Sequence, residues 1–284
     1  MKTDRRLVEA LDDLLARSFA EDGEDITTLA VFGPRARVAG DMVCREAAVV
    51  AGAAFLPRVF AFLHPPASVE VLVEDGARVA AGTVLARVEG PAVTVLAAER
   101  TALNLVQRLT GVATATRRAA DALASAGGRT RLLDTRKTTP GWRRLEKEAV
   151  RAGGGVNHRF SLGDGVLIKD NHVAACGGVG EAVRRARARG NAMLRVEVEV
   201  VDLPGLEEAI GAGADIVLLD NMDEAAMAEA VRRARGRVLL EASGNMTLER
   251  LPRVAATGVD FVSMGAITHS ACAADISFEV EPDR

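Results

Sequence analysis

The sequence has few of the residues that form disulfide bonds or stack on nucleic-acid bases. Its 284 residues include three cysteines, one tryptophan, eight phenylalanines and no tyrosine. Cys44, Cys176 and Cys272 are an odd number at wide spacing without a CxxC pair, which argues against a disulfide framework or a zinc site and fits a reducing cytoplasm. With so few aromatic rings and a net charge of −3, the chain is not expected to bind nucleic acid.

Long apolar runs are also missing. The longest, residues 47–56, is much shorter than the roughly 20 residues that cross a bilayer. The first residues, MKTDRRLVEALDDLL, have the alternating charges of an amphipathic helix and differ from an apolar secretion signal. We therefore expect a cytoplasmic protein without a membrane-embedded part.

The first part of the chain predicts a mixed α+β unit. Residues 4–17 carry leucines on one helical stripe, whereas residues 35–50 and 68–96 alternate like strands and are interrupted by glycines. The second stretch resembles a lipoyl-type carrier domain, but no lysine lies between Ser68 and Ala98 to hold a prosthetic group. Residues 97–125 predict a long helix that leads into the next unit.

From residue 130 onward, short apolar strands alternate with helices. Six strands are predicted, at 131–134, 166–169, 194–200, 215–219, 237–242 and 259–264. Alternating β and α segments indicate buried parallel strands. Because no GxGxxG turn accompanies them, the pattern favours a barrel-like closure over a doubly wound dinucleotide fold.

A basic segment, residues 134–172, covers the ends of the first two of these strands. It holds eight Lys/Arg against five Asp/Glu, a local charge of +3. Chemistry in βα barrels collects at the C-terminal strand ends, and arginine and lysine there bind carboxylates. The candidate ligands of an anionic substrate are Thr135, Arg136, Lys137, His158, Arg159 and Lys169.

The later strands end in groups suited to a metal ion and a phosphate. Glu199 and Asp220 could hold a hydrated Mg²⁺, which usually takes one or two protein carboxylates. Two glycine turns, Ser243-Gly244-Asn245 and Met264-Gly265-Ala266, suit a phosphate. An acid with several negative charges, a metal and a phosphate together suggest transfer involving a phosphorylated sugar.

Some charged residues have simpler interpretations. Arg143, Arg144, Lys147, Glu148 and Arg151 are expected to form the solvated face of one helix. Glu197 is expected to pair with a lysine or arginine inside the barrel, because an unpaired buried carboxylate is costly.

Several motifs together resemble the quinolinate phosphoribosyltransferases, the decarboxylating nicotinate-nucleotide pyrophosphorylases of NAD synthesis. They cover nearly the whole chain: EDITT (24–28), ERTALNLVQRLTGVAT (99–114), DTRKTTPGW (134–142), GGGVNHR (153–159), LIKDNH (167–172), EVEV (197–200), LLDNM (218–222), LEASGN (240–245) and GAITHS (265–270). The resemblance implies an N-terminal open sandwich, residues 1–112, and an incomplete α/β barrel, residues 113–284.

The resemblance also implies a reaction and roles for the site residues. Quinolinate attacks C1 of phosphoribosyl pyrophosphate, and decarboxylation at C2 gives nicotinate mononucleotide. In a homodimer with shared sites, Arg100 would reach the partner's quinolinate. Arg136, His158, Arg159 and Lys169 would bind its carboxylates, and Lys137 would face the pyrophosphate. Glu199 and Asp220 would meet the ribose and Mg²⁺, with Lys137, Glu199 and Asp220 as the catalytic set; Ser243, Gly244, Asn245, Met264, Gly265 and Ala266 would hold the 5′-phosphate.

The sequence departs from the family pattern at Glu24, Trp142 and Asn245-Met246, and of these Asn245 falls in the predicted phosphate turn. Three alternatives stay open. A molybdenum-transport-associated paralogue shares the fold, but its pattern lacks LIKDNH. A nicotinate phosphoribosyltransferase would use a monocarboxylate, and a carrier or interaction protein would use the lipoyl-like segment.

Overall fold

A computed structural model describes residues 4–280. Its described residues form two compact units: the first contains residues 4–117, 138–154 and 267–280, and the second contains residues 118–137 and 155–266. The boundary between residues 112 and 113 stays a prediction. Within residues 4–280, none of the helices combines the length and apolar character that a membrane span requires.

The helices and strands alternate along the chain. The strands are β1 (Arg37–Cys44), β2 (Ala48–Val49), β3 (Ser68–Val71), β4 (Arg78–Val79), β5 (Thr83–Pro91), β6 (Arg131–Leu133), β7 (Val166–Ile168), β8 (Val196–Val200), β9 (Ile216–Asp220), β10 (Leu239–Ser243), β11 (Phe261–Ser263) and β12 (Ile276–Val280). The helices are α1 (Arg5–Asp22), α2 (Ile26–Val31), α3 (Leu56–Phe62), α4 (Ala92–Ala124), α5 (Arg143–Ala152), α6 (Asp170–Cys176), α7 (Val179–Arg189), α8 (Leu203–Gly211), α9 (Glu224–Ala234), α10 (Leu251–Ala256) and α11 (Ala266–His269).

The first unit is built on an antiparallel sheet with the strand order β12-β1-β5-β3. A small pair, β2 with β4, accompanies it. Residues 92–96, which alternate like a strand, instead begin helix α4. The prediction of a strand there is wrong because Val95 and Ala98 lie on the helix face that is fully buried; packing of that face outweighs the β preference of valine.

The second unit contains a parallel sheet with the order β6-β11-β10-β9-β8-β7. The first strand of the series therefore pairs with the last, as in a barrel, while β6 and β7 stand at the two ends of the order. Val198, Val217, Leu219 and Val262 are fully buried, as expected for strands covered on both faces. All six predicted strands are present, and the predicted α/β fold class is confirmed.

Helix α5 (Arg143–Ala152) buries one of the charged side chains that were predicted to face solvent. The side chain of Lys147 is buried, at 2% exposure, and its neighbour Glu146 is fully buried. Glu146 accepts hydrogen bonds from Arg108 (2.8 Å) and from the main-chain N–H of Thr139 (3.0 Å). The prediction for Lys147 is therefore wrong, because its side chain is packed inside the protein and not solvated.

Gly111 on helix α4 is a position where any side chain would clash. A Cβ added there would overlap the main-chain carbonyl oxygen of Cys272. We expect Gly111→Ala to lower the free energy of unfolding by about 1–3 kcal/mol, because main-chain atoms would have to move apart. Urea denaturation measures this change. Gly33→Ala, which adds a methyl group to open space, is the control, and an equal loss in both variants would contradict the argument.

Candidate active site

A cavity of about 270 Å³ lies at the carboxyl ends of the parallel strands in the second unit. Glu199, Asp220 and Ser243 reach it from the ends of three neighbouring strands, β8, β9 and β10. The residues that line it are Thr135, Arg136, Lys137, His158, Arg159, Leu167, Lys169, Glu199, Leu218, Asp220, Glu241, Ser243 and Ser263. Nine of the predicted site residues thus share one cavity.

Six other predicted site residues are not part of this lining. Arg100 belongs to the first unit, on helix α4, and its side chain is 64% exposed. The others are the turn residues Gly244, Asn245, Met264, Gly265 and Ala266, which follow β10 and β11 in the chain. Their roles stay predictions.

The basic wall of the cavity contains Arg136, Lys137, Arg159 and Lys169. Arg159 donates from Nη1 to the carbonyl oxygen of Gly165 (2.8 Å), while its Nε is buried and has no hydrogen-bond partner within residues 4–280. Burial lowers the pKa of Arg159, and the nearby positive charge of Arg136 lowers it further. Because buried donors are normally satisfied, this wall is suited to receive an anion.

The acidic wall consists of Glu199 and Asp220. Burial raises the pKa of Glu199, the charge of Asp220 raises it further, and Lys169 opposes both effects. Two carboxylates that repel each other at adjacent strand ends are hard oxygen donors of the kind that Mg²⁺ takes. The residues present therefore fit the predicted magnesium ion.

Three side chains form a largely buried cluster, and two of them, His158 and Glu241, line the cavity. Nε2 of His158 lies 3.1 Å from a carboxylate oxygen of Glu197 and 3.6 Å from one of Glu241. Glu197 was expected to pair with a lysine or arginine, but its direct partner is a histidine. The potential ligand atoms lie within 4.8 Å of one another, as they could around a metal ion. The contact between His158 and Glu197 is a hydrogen bond, since 3.1 Å is a hydrogen-bond distance, and the charge of Glu197 also attracts Arg159.

Two family models cover most of the sequence. The quinolinate phosphoribosyl transferase N-terminal domain matches residues 25–110, and the C-terminal domain of the same family matches residues 112–279. The chain belongs to this family. The family resemblance predicted from the motifs is thereby confirmed.

Relatives of this quinolinate phosphoribosyl transferase family align over almost their whole length. A probable nicotinate-nucleotide pyrophosphorylase [carboxylating] of Bacillus subtilis is 43% identical, with 95% of this chain and 93% of that protein covered. The corresponding Mycobacterium leprae protein is 44% identical, with 96% and 98% covered. The solved structure of the Francisella tularensis nicotinate-nucleotide pyrophosphorylase is 39% identical, with a TM-score of 0.91 and 96% of each chain covered.

Two hydrogen bonds between side chains connect the ends of β9 and β10. Asn245 donates to the side-chain oxygen of Asn221 (2.9 Å), and Asn221 donates to the carboxylate of Asp220 (2.9 Å). Asn221, Gly244 and Asn245 all have positive φ, of 54°, 93° and 49°. Asparagine tolerates this region better than other side chains, so the departure at Asn245 is accommodated. Asn221 was absent from the predicted site residues, although its place after a strand-end aspartate could have indicated it.

Glu241 makes a pH-dependent contribution to stability. Burial, with the charge of Glu197, raises the pKa of Glu241 from 4.5 to about 8. The folded chain then keeps a proton that the unfolded chain loses near the ordinary value. This stabilisation is complete below pH 4.5 and declines as the pH rises toward 8.

We expect Glu241→Gln, which is neutral at every pH, to remove that decline. The melting temperature of the variant relative to the original chain should rise between about pH 5.5 and about pH 8.5. Thermal denaturation at several pH values measures it. A difference that stays constant across this range would contradict the assigned pKa.

Proposed function

We propose that this protein transfers the phosphoribosyl group of phosphoribosyl pyrophosphate to quinolinate and releases pyrophosphate and CO₂, forming nicotinate mononucleotide. The observation that carries the proposal is the cavity that combines a basic wall with Glu199 and Asp220, in a chain that belongs to the quinolinate phosphoribosyl transferase family. This is the reaction of de novo NAD biosynthesis, and the enzyme is a pentosyltransferase.

The basic wall provides the recognition of the dicarboxylate. Arg136, Arg159 and Lys169 are the charges that would hold the two carboxylates, since a guanidinium offers paired donors and an ammonium a compact charge. Lys137 is assigned to the pyrophosphate that leaves. Fixed positive charges in a partly buried site stabilise the negative charge that develops on the leaving group.

The acidic wall, Glu199 and Asp220, is assigned to the ribose. Bond formation at the anomeric carbon places positive charge on the sugar, and Glu199 and Asp220 are the carboxylates that would stabilise it. These two residues would also hold Mg²⁺, directly or through ligand and water, and the ion would neutralise pyrophosphate charge. Ser243, Gly244 and Asn245, with Met264, Gly265 and Ala266, are assigned to the 5′-phosphate.

Decarboxylation needs no nucleophile or general base from the protein. When the ring nitrogen of quinolinate carries the ribose, it is positively charged and stabilises the electron pair that stays on C2 when the bond between C2 and the carboxylate carbon breaks. A proton from water then replaces CO₂ at C2. The residues of the cavity therefore act mainly by position and charge.

A homodimer with shared active sites is the proposed assembly. Helix α2 and its C-cap expose apolar side chains: Ile26 is 72% exposed, Leu29 56%, Val31 69% and Phe32 38%. Such a patch is typical of a protein interface. Arg100, exposed on helix α4, is the residue proposed to enter the partner's cavity.

The decisive test supplies the purified protein with Mg²⁺, phosphoribosyl pyrophosphate and quinolinate. We expect equal amounts of pyrophosphate, CO₂ and nicotinate mononucleotide. Turnover of nicotinate without turnover of quinolinate would instead identify a monocarboxylate enzyme, and inactivity with both would favour the paralogue that shares the fold.

Shared sites are tested by mixing inactive chains. Dimers formed from Arg100→Ala and Lys137→Ala chains would contain one site with neither change, so part of the activity should return. Mixed dimers, verified by two different affinity tags, that stay inactive would show that each chain uses its own arginine.

A further inference from the structure

The turns that follow β9 and β10 lie side by side and are tied together through their main chains. The main-chain N–H of Asn221 donates to the carbonyl oxygen of Ser243 (3.0 Å), which continues the pairing of the two strands. Arg250, whose side chain is 17% exposed, donates to the carbonyl oxygens of Gly244 (3.0 Å) and Met222 (2.8 Å). The turn assigned to the 5′-phosphate and the residues after β9 are therefore held against each other.

Gly244 makes room for a side chain from the neighbouring turn. Its φ is 93°, and a Cβ added there would overlap the side-chain oxygen of Asn221. Asn221 and Asn245 also have positive φ, of 54° and 49°, in a region that asparagine tolerates better than most side chains. The main chain of the two turns thus brings the amide of Asn221 close to Gly244 and within reach of Asn245.

Two hydrogen bonds lead from the phosphate turn to the acidic wall. Nδ2 of Asn245 donates to Oδ1 of Asn221 (2.9 Å), and Nδ2 of Asn221 donates to Oδ2 of Asp220 (2.9 Å). A hydrogen bond from an amide to a carboxylate is charge-assisted and is stronger than one between two neutral groups. It restricts the rotation of the Asp220 carboxylate, which lines the cavity.

We propose that Asn221 and Asn245 are positioning residues, which hold Asp220 in the orientation that the ribose requires and link it to the phosphate turn. The proposal rests on the function proposed above, because it assigns Asp220 to the ribose and Mg²⁺. A carboxylate that is already oriented stabilises the charge that develops on the sugar without first having to turn. Without the two amides, the substrate itself would have to order the carboxylate, and affinity would fall.

A mutant cycle between the two asparagines tests this proposal. Asn245→Gly and Asn221→Gly remove the side chains without straining the main chain, since glycine accepts positive φ. The full-length protein, both variants and the double variant are titrated with nicotinate mononucleotide by calorimetry, because this product carries both the ribose and the 5′-phosphate. We expect each single variant to bind it about threefold to tenfold more weakly, as for the loss of one or two hydrogen bonds. The double variant should stay within about twofold of Asn221→Gly.

Steady-state kinetics separates positioning from a general loss of structure. In Asn245→Gly, the KM for phosphoribosyl pyrophosphate and the Mg²⁺ concentration that gives half-maximal activity should both rise about threefold to tenfold, whereas the KM for quinolinate should stay within about twofold. Arg235→Gly is the matched control and should leave all three values unchanged. It places glycine at another exposed residue with positive φ (47°), the C-cap of helix α9. Thermal denaturation shows whether each variant is folded.

The outcomes separate the two proposals. A double variant that binds as well as Asn221→Gly supports positioning through one chain of amides, whereas losses that multiply would show that Asn245 contacts the ligand by itself. Equal rises in the KM values of both substrates would show a general effect of glycine and overturn the inference. If the unchanged protein neither binds the nucleotide nor converts quinolinate, the proposed function is wrong and this inference falls with it. A protein that converts quinolinate, but whose Asn245→Gly variant keeps its full affinity, overturns the inference alone.

Discussion

Glu146→Ala is expected to lower the free energy of unfolding by about 3–5 kcal/mol, because it removes one partner of a buried ion pair. Glu146 is fully buried, and Arg108 donates to it at 2.8 Å with a side chain only 23% exposed. In the variant, the mostly buried guanidinium of Arg108 would lose the carboxylate that balances its charge. The substitution would also remove the acceptor of the main-chain N–H and the hydroxyl of Thr139.

Urea denaturation followed by circular dichroism measures the loss. Glu148→Ala is the matched control, since it removes a more exposed carboxylate of the same helix whose partner, Arg151, lies 3.4 Å away on the surface. Surface pairs of this kind contribute at most about 1 kcal/mol. Similar losses in the two variants would show that the burial of Glu146 does not matter.

Arg159→Ala should reduce kcat/KM for quinolinate by about 30-fold to 1000-fold, or about 2–4 kcal/mol, the range for losing one side of a buried charge contact. Its Nε is a buried donor without a hydrogen-bond partner among the described residues. Arg159→Lys keeps the charge but not the paired donors, so its loss should lie between those of the alanine variant and the unchanged protein.

Steady-state kinetics with each substrate varied in turn measures this effect, and thermal denaturation shows whether the variant is folded. Arg184→Ala removes an arginine that is 63% exposed on helix α7 and should leave kcat/KM unchanged. If Arg159→Ala acted mainly on the KM for phosphoribosyl pyrophosphate, the assignment of Arg159 to a carboxylate would be wrong.

The strands of the second unit could be predicted because their apolar runs have a fixed period and length. Once they are parallel and neighbours, their carboxyl ends meet at one edge, which is why residues as distant in sequence as Arg136 and Ser243 line the same cavity. The alternation of apolar residues was misleading at residues 92–96, where valines lie in the first turns of helix α4. There the buried face of the helix decided the outcome, and a short apolar stretch does not reveal which element will be packed around it.

The partners of buried charged side chains could not be predicted from the sequence. The charge pattern of helix α5 is that of a solvated helix, and nothing near it in the chain indicates that Glu146 meets Arg108, 38 residues earlier. Likewise, the spacing of His158 and Glu197 gives no sign that the imidazole will lie 3.1 Å from that carboxylate. Residue types at strand ends predict which groups reach a site, but not which of them are held by one another.

The ion pair between Arg108 and Glu146 also limits how the protein can be divided. A cut at the predicted boundary, after residue 112, would put the arginine on one fragment and its carboxylate on the other. Each fragment would then have to solvate or neutralise a charge that the intact chain keeps buried. Separately expressed halves are therefore expected to aggregate or to associate with each other, and a stable catalytic fragment would need the residues of helix α4 that precede the cut.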